Sequence, residues 1–292
     1  MKNKSIVYVK LPKVGIGNLL LIWARAKVFA EINSFQIITS TWWGIRWGAI
    51  LRKEKKKRLY YGYFKESSLL QKAQVFFYKL LKDKILEPQI ENNAKPFNSL
   101  FIFNEVIVNP DLFKYLRGHR EFIQKEIYNL LNPSVLSRLD SYPIPSISVH
   151  IRRGDFKYGN PLTPLSFFID SIKFIREKRE KDLPVTVFTD ASKDEISEIF
   201  TLSNIYLADK KPDILDILLM SKSEVVVLSQ SSTFSYWGAF LSNAVIIKPI
   251  NDWQNNIRDE EDNLKYFEGK ISFEQNIGIR ALSSYLVKHK SN

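Results

Sequence analysis

Two consecutive arginines, Arg152 and Arg153, fall in the run Val149-His150-Ile151-Arg152-Arg153-Gly154-Asp155. Arginine presents a planar fork of donors that never loses its charge, so it can hold a phosphate through two parallel bonds. Gly154 lets the backbone turn sharply or approach a ligand closely, and Asp155 can pair an arginine or accept a proton. A second cluster, Ser229-Gln230-Ser231-Ser232, leads into Thr233–Leu241. Hydroxyls at a helix start, beside unpaired backbone N–H groups and the positive end of the dipole, form an anion site. They serve equally well as plain caps. A third cluster, Gly15-Ile16-Gly17-Asn18, follows the first β-rich run, but Leu20 fills the slot of the third glycine in a dinucleotide fingerprint. A tight strand-to-helix turn explains it as well. Asp190 follows the run Val185–Phe188, where it is either a ligand residue at a strand's carboxyl edge or a turn residue beside Ser192. The chemistry these groups share is the binding of a phosphate-bearing substrate. The bland alternative at residues 152–155 is a surface Arg–Asp salt bridge.

The elements around these residues alternate between strand and helix. Ile6–Leu11 reads as a strand ending at Pro12, Leu19–Ile32 as a helix, Gln36–Thr39 as a second strand and Leu100–Phe103 as a third. A long helical stretch is expected within Tyr60–Leu81, and Asp111–Leu131 reads as helical. In the second half Ile147, Val149 and Ile151 alternate with Ser148 and His150, a strand signal. Thr163-Pro164 opens a helix by cap and proline, and Ser192-Lys193-Asp194-Glu195 is a capping box. Strands are expected at Pro184–Phe188, Asn204–Leu207, Glu224–Leu228 and Ala244–Lys248, and helices at Asp213–Met220 and Ser231–Leu241. This alternation implies parallel sheets covered on both faces. Asp140–Ser146 carries two prolines and reads as a linker. The expectation is an α/β protein of two Rossmann-like domains, residues 1–145 and 146–292, with the last helix a candidate to pack back on the first domain.

Composition narrows the classes. Of 292 residues 45% are apolar and 25% charged, a globular balance. The absence of cysteine excludes disulfide scaffolds, thiolate nucleophiles and cysteine-ligated metals. The three histidines, His119, His150 and His289, are scattered. No run of ~18 uncharged apolar residues suggests a membrane span, and Lys10 and Lys13 break any signal-peptide pattern, so a cytoplasmic location is expected. Residues 1–145 hold 24 Lys and Arg against 11 Asp and Glu, whereas residues 146–292 hold 19 against 20. The whole basic excess therefore lies in the first half, densest at Arg52–Arg58. Such a surface attracts phosphates of nucleic acid, lipid or substrate. Aromatic residues do not interleave with that run as an RNA-stacking surface would, which argues against nucleic acid. Trp42, Trp43 and Trp47 precede it and could sit at headgroup level on the inner face of the cytoplasmic membrane. The other possibility is that they pack internally and the lysines are only solvated.

Five segments in order resemble one family. His150-Ile151-Arg152-Arg153-Gly154-Asp155 is similar to the His-x-Arg-Arg-Gly-Asp motif of the alpha-1,2-fucosyltransferases, glycosyltransferase family 11. Gly15-Ile16-Gly17-Asn18 resembles that family's opening Gly-Leu-Gly-Asn, and Phe188-Thr189-Asp190 its Phe-Ser-Asp. Ser231–Ala239 resembles Ser-Ser-Phe-Ser-Trp-Trp-Gly-Ala, with Tyr236 where a tryptophan pair begins. Lys248-Pro249 with Asp252-Trp253 resembles the closing Pro-x-x-Trp region. The resemblance implies a GT-B fold, two Rossmann-like domains facing a cleft. It implies inverting transfer of L-fucose from GDP-β-L-fucose to a sugar hydroxyl, the 2-OH of a galactoside in bacterial surface polysaccharide. The donor contacts it implies are His150, Arg152, Arg153, Asp190, Ser229, Ser231 and Ser232, with Gly15, Gly17 and Asn18 as a cleft loop. Arg152 is the expected catalytic cation and Asp155 the candidate base, although an arginine neighbour lowers a carboxylate's pKa.

The acceptor is expected to be an oligosaccharide, with a diphosphate-linked lipid as one form. Two other readings stand beside the lead: a transferase of the same fold using another GDP-deoxysugar, and a non-enzymatic basic binder of nucleic acid or membrane. No cofactor or metal is expected, because the sequence has no Asp-x-Asp pair to hold a diphosphate-bound cation. Transfer should therefore survive EDTA. Complete loss restored by manganese would refute the metal-free reading.

Overall fold

The computed structural model describes residues 5–44, 59–87, 98–107, 110–154 and 162–289. Asp155, Trp47 and the basic run Arg52–Arg58 lie outside the described residues. The chain divides into two compact units, with the change from one to the other between Leu136 and Ser137. This is earlier than the proline-bearing stretch at 140–146. Leu139 is buried, and its short turn packs on a helix of the second unit.

The first unit contains β1 (Ile6–Val9), α1 (Ile16–Ile32), β2 (Gln36–Thr39), α2 (Leu69–Leu81), β3 (Asp83–Leu86), β4 (Ser99–Phe103), α3 (Arg120–Leu130) and the short α4 (Pro133–Leu136). Its sheet is parallel throughout, in the order β2-β1-β4-β3. α1 is apolar almost all round and buried almost all round, as a helix in the middle of a core must be. Among its four polar residues, Arg25 is buried and bound to Glu87 and to the Glu105 carbonyl. α2 begins only at Leu69, not near Tyr60, because Ser68 and Gln71 form a complete capping box there. Upstream, Phe64 bridges to Leu131 instead. α3 is likewise shorter than its periodicity predicts, with a single 3-10 turn at Arg117–His119 before it. Trp42 is buried against Trp23 and Phe64, the internal packing foreseen as the alternative to a headgroup position.

The second unit runs β5 (Ile147–Ile151), α5 (Leu165–Arg179), β6 (Val185–Thr189), β7 (Ile205–Leu207), α6 (Asp213–Ser221), β8 (Val225–Val227), α7 (Thr233–Phe240), β9 (Val245–Pro249), α8 (Glu260–Lys265), β10 (Glu268–Ile271) and α9 (Ile279–Lys288). All six strands are parallel, in the order β10-β9-β8-β5-β6-β7. From β5 the chain winds outward to β7, then returns to lay β8 on the other side of β5. The order reverses between β5 and β8, the crevice in which doubly wound sheets bind ligands. β5 is buried at every position, so its alternation does not mark a solvent face; the sheet is covered on both sides. α9 packs on α5 and adds Leu282 and Leu286 to this unit's core.

β3 and β10 escape sequence reading because both are four-residue edge strands with mixed polarity. β10 is nevertheless anchored by a buried charge. Glu268 pairs with Lys248 at 2.7 Å, and both side chains are essentially inaccessible. It also accepts the Ile257 and Arg258 amides at 2.7 and 3.1 Å. Removing one partner of such a pair leaves an uncompensated buried charge, so Glu268→Gln should cost roughly 3–5 kcal/mol. A urea midpoint within error of the parent's would show that Lys248 is satisfied by the Asn255 carbonyl alone.

Candidate functional site

The exits of β5, β6 and β8 converge at the point where strand order reverses. β5 delivers Arg152 and Arg153, β6 delivers Asp190, and β8 leads through Leu228 to Ser229. Three side chains tie them together. The Ser229 hydroxyl donates to the His150 carbonyl at 2.7 Å and accepts the Arg152 amide at 2.8 Å. The Asp190 carboxylate accepts the Arg153 amide at 2.8 Å and forms an ion pair with the Arg152 guanidinium. The Thr189 hydroxyl donates to the Ile151 carbonyl at 2.7 Å. Where the β5 ladder stops, side chains of both neighbouring strands thus take up its backbone groups.

Gly154 has a steric reason. A Cβ at this position would collide with the Asp190 carboxylate. The two arginines are not equivalent. Arg153 is buried, with one guanidinium nitrogen donating to the Arg152 carbonyl at 3.2 Å. Burial draws its pKa down, and the charge of Asp190 acts against that. Arg152 keeps part of its side chain accessible beside Asp190.

On the other side of β5, Ser231 adopts the left-handed conformation, φ 58°, and its amide donates to Asp252 at 3.2 Å. Ser232 is the N-cap of α7, yet its hydroxyl makes no capping bond. Asp252 also accepts the Tyr236 hydroxyl. Burial pushes the Asp252 carboxyl above the ordinary carboxylate range, although Tyr236, the Ser231 amide and Lys248 all favour its charged form. The Tyr236 hydroxyl is raised too, by burial first and by Asp252 second. A tryptophan at position 236 offers no hydroxyl to this carboxylate. His150 is buried, its ring stacked on Phe234 at 5.3 Å. Thr163 does not cap α5, which has Pro164 at its N-cap. Its hydroxyl instead accepts the Gln230 amide at 2.9 Å and so fixes the serine loop.

The second unit therefore brings together His150, Arg152, Arg153, Asp190, Ser229, Ser231 and Ser232. Asp155 lies outside the described residues. Gly15, Gly17 and Asn18 belong to the first unit, where Gly15 is the N-cap of α1 with an ordinary φ of −66°. The Ile16 amide there donates to the Tyr60 hydroxyl at 2.8 Å. Thr163, Tyr236 and Asp252 were not foreseen as positioning residues. Their signal lies in distant pairings that no local pattern carries.

Two parallel-sheet units, the second with its polar cluster at the reversal of strand order, define a protein of the GT-B type, the architecture of nucleotide-sugar glycosyltransferases. A family model described as glycosyl transferase family 11 matches residues 107–268, more than half of the chain, and the chain belongs to that family. It is 32% identical over 143 residues to an alpha-1,2-colitosyltransferase of Escherichia coli; the match covers 44% of this chain and 48%, about half, of that relative. The structure of the alpha-1,6-fucosyltransferase NodZ soaked with GDP-fucose superposes with a TM-score of 0.52 at 13% identity, over 87% of this chain and 98% of NodZ. NodZ from Bradyrhizobium gives 0.50 at 12% identity, over 82% and 94%.

The Gly154 contact yields a test. Gly154→Ala should displace Asp190 and break its pair with Arg152 while the unit stays folded. A crystal structure of the variant with the Arg152–Asp190 pair in place would refute the steric argument.

Proposed function

We propose that the chain transfers a 6-deoxyhexose from a GDP-sugar, GDP-β-L-fucose in the first instance, to a glycan hydroxyl with inversion and without a metal. The acceptor proposed is the 2-OH of a galactoside in a bacterial surface polysaccharide, carried on a diphosphate-linked lipid, with the protein peripheral to the membrane's cytoplasmic face. The observation that supports this reading most is the arginine pair at the exit of β5, tied to Asp190 and Ser229 where the strand order reverses.

Departure of GDP builds negative charge on the diphosphate, and cationic and N–H donors aimed at it lower the barrier. In this reading Arg152 supplies the charge, since its guanidinium remains partly accessible. Arg153 acts from within by holding the backbone of the strand exit. The Ser231–Ser232 start of α7 supplies hydroxyl and amide donors, with a Ser232 hydroxyl that makes no capping bond. Asp190 positions Arg152, and a ligand phosphate would share that guanidinium. The sugar moiety has a second candidate. The relative from Escherichia coli is a colitosyltransferase, which favours a different GDP-deoxysugar as the alternative donor.

A donor screen decides. GDP-fucose, GDP-colitose, GDP-mannose and UDP-sugars are scored by nucleotide release with and without acceptor. Release from GDP-fucose supports the lead and release confined to GDP-colitose the alternative; release from UDP-sugars alone sinks both. Arg152→Ala should lower kcat/KM by the equivalent of roughly 2–4 kcal/mol with unchanged thermal stability. Near-parental turnover would remove Arg152 from the diphosphate.

A further inference from the structure

α2 is amphipathic in the wrong sense for a core helix. Leu69, Leu70, Phe76, Phe77, Leu80 and Leu81 recur at the spacing of one helical face. They are exposed by 85, 78, 63, 58, 69 and 74% respectively. The opposite face does the packing: Val75 is buried, and Tyr78 lies with it against Ile6, Ile38, Leu100 and Ile102. Single exposed leucines are ordinary, but six large apolar side chains contiguous on one face mark an interaction surface. Leu86, at the end of the next strand, is exposed as well.

The surroundings of this stripe are basic. α2 contains no acidic residue. Lys72 and Lys79 run along one edge of the stripe, and Lys82 and Lys84 follow its end. Over residues 65–84 five lysines stand against Glu66 and Asp83, and with Lys72 paired to Glu66 four lysines remain against Asp83. Lys79 lies over the Tyr8 ring at 4.7 Å, its stem along the helix flank. The exposed pair Trp43 and Tyr61, with ring centroids 6.1 Å apart, belongs to segments joined to the start of α2, since the Trp42 amide donates to Glu66. A second copy of the chain docked on this stripe would bring no carboxylate from its own α2 to the lysine edge. Anionic lipid headgroups bring negative charge along the whole edge while the acyl region takes the leucines and phenylalanines. The helix has 13 residues, about 20 Å at 1.5 Å per residue, which is short of the ~30 Å hydrocarbon core. It can lie in the interface but not cross it.

We infer that the outward stripe of α2 seats this protein on an anionic bilayer, the helix lying in the interface plane with its lysine edge at the headgroups. This rests on the reading of a transferase beside a lipid-borne acceptor, and it names the surface that makes the contact. The full chain is sedimented with phosphatidylcholine vesicles and with vesicles containing phosphatidylglycerol. Pelleting is expected with the anionic vesicles and weakens with salt. For the variant L70Q/F77Q/L80Q/L81Q the affinity falls about tenfold or more. These side chains are exposed, so the variant keeps its circular dichroism and its affinity for GDP. GDP titration is independent of vesicle binding, so failure of the donor-site reading and failure of this one are told apart. Parent protein left in the supernatant with anionic vesicles overturns the inference. So does a variant that pellets like the parent, which moves the contact elsewhere. A dimer abolished by the same substitutions, in a chain that ignores vesicles, overturns it in favour of a second copy.

Discussion

The carboxylate of Asp190 holds two consecutive residues of a neighbouring strand exit at once, the Arg152 guanidinium and the Arg153 amide. Much of the site follows from that grip. A side chain at position 154 would occupy the space of the carboxylate, so the residue there must be glycine. The amide of Arg153, left without a ladder partner where β5 ends, is satisfied without water. Both arginine side chains are also tied within the unit, Arg152 to Asp190 and Arg153 to the Arg152 carbonyl.

Ser229 does the matching work on the other flank. By accepting from Arg152 and donating to the His150 carbonyl, one hydroxyl joins β5 to the loop that leaves β8. These are the two strands between which the order reverses. Further out, the serine loop is held by Thr163 at Gln230 and by Asp252 at Ser231. Asp252 is in turn buried with Tyr236, whose hydroxyl it accepts. The left-handed Ser231 costs of order 1–3 kcal/mol for a residue with a Cβ, and the Asp252 bond to its amide helps to offset that. Strain of this kind persists where its surroundings over-determine it, as they do here.

The two long helices of the first unit show how apolar content alone misleads. α1 and α2 both read as apolar helices, but α1 buries almost every side chain and α2 turns its widest apolar face outward. The difference lies in what each meets. α1 packs against the strands of the sheet, while α2 touches the core mainly through Val75 and Tyr78. Neighbouring tryptophans divide in the same way: Trp42 is in the core and Trp43 is half exposed.

The sequence by itself determined the alternation of strands and helices, the parallel sheets and the landmarks His150–Gly154, Asp190 and Ser229–Ser232, because these rest on local periodicity and short spacing. It also determined the family, because those landmarks keep their order along the chain. It did not show the edge strands β3 and β10, whose four residues carry too little pattern. Nor did it show where the first unit ends, since that depends on what Leu139 packs against. Which arginine is buried, why residue 154 is glycine, what Thr163 and Tyr236 hold, and which way α2 faces were decided only by the tertiary structure. Each of these depends on a contact between residues far apart in the chain, and no local sequence pattern specifies such a partner.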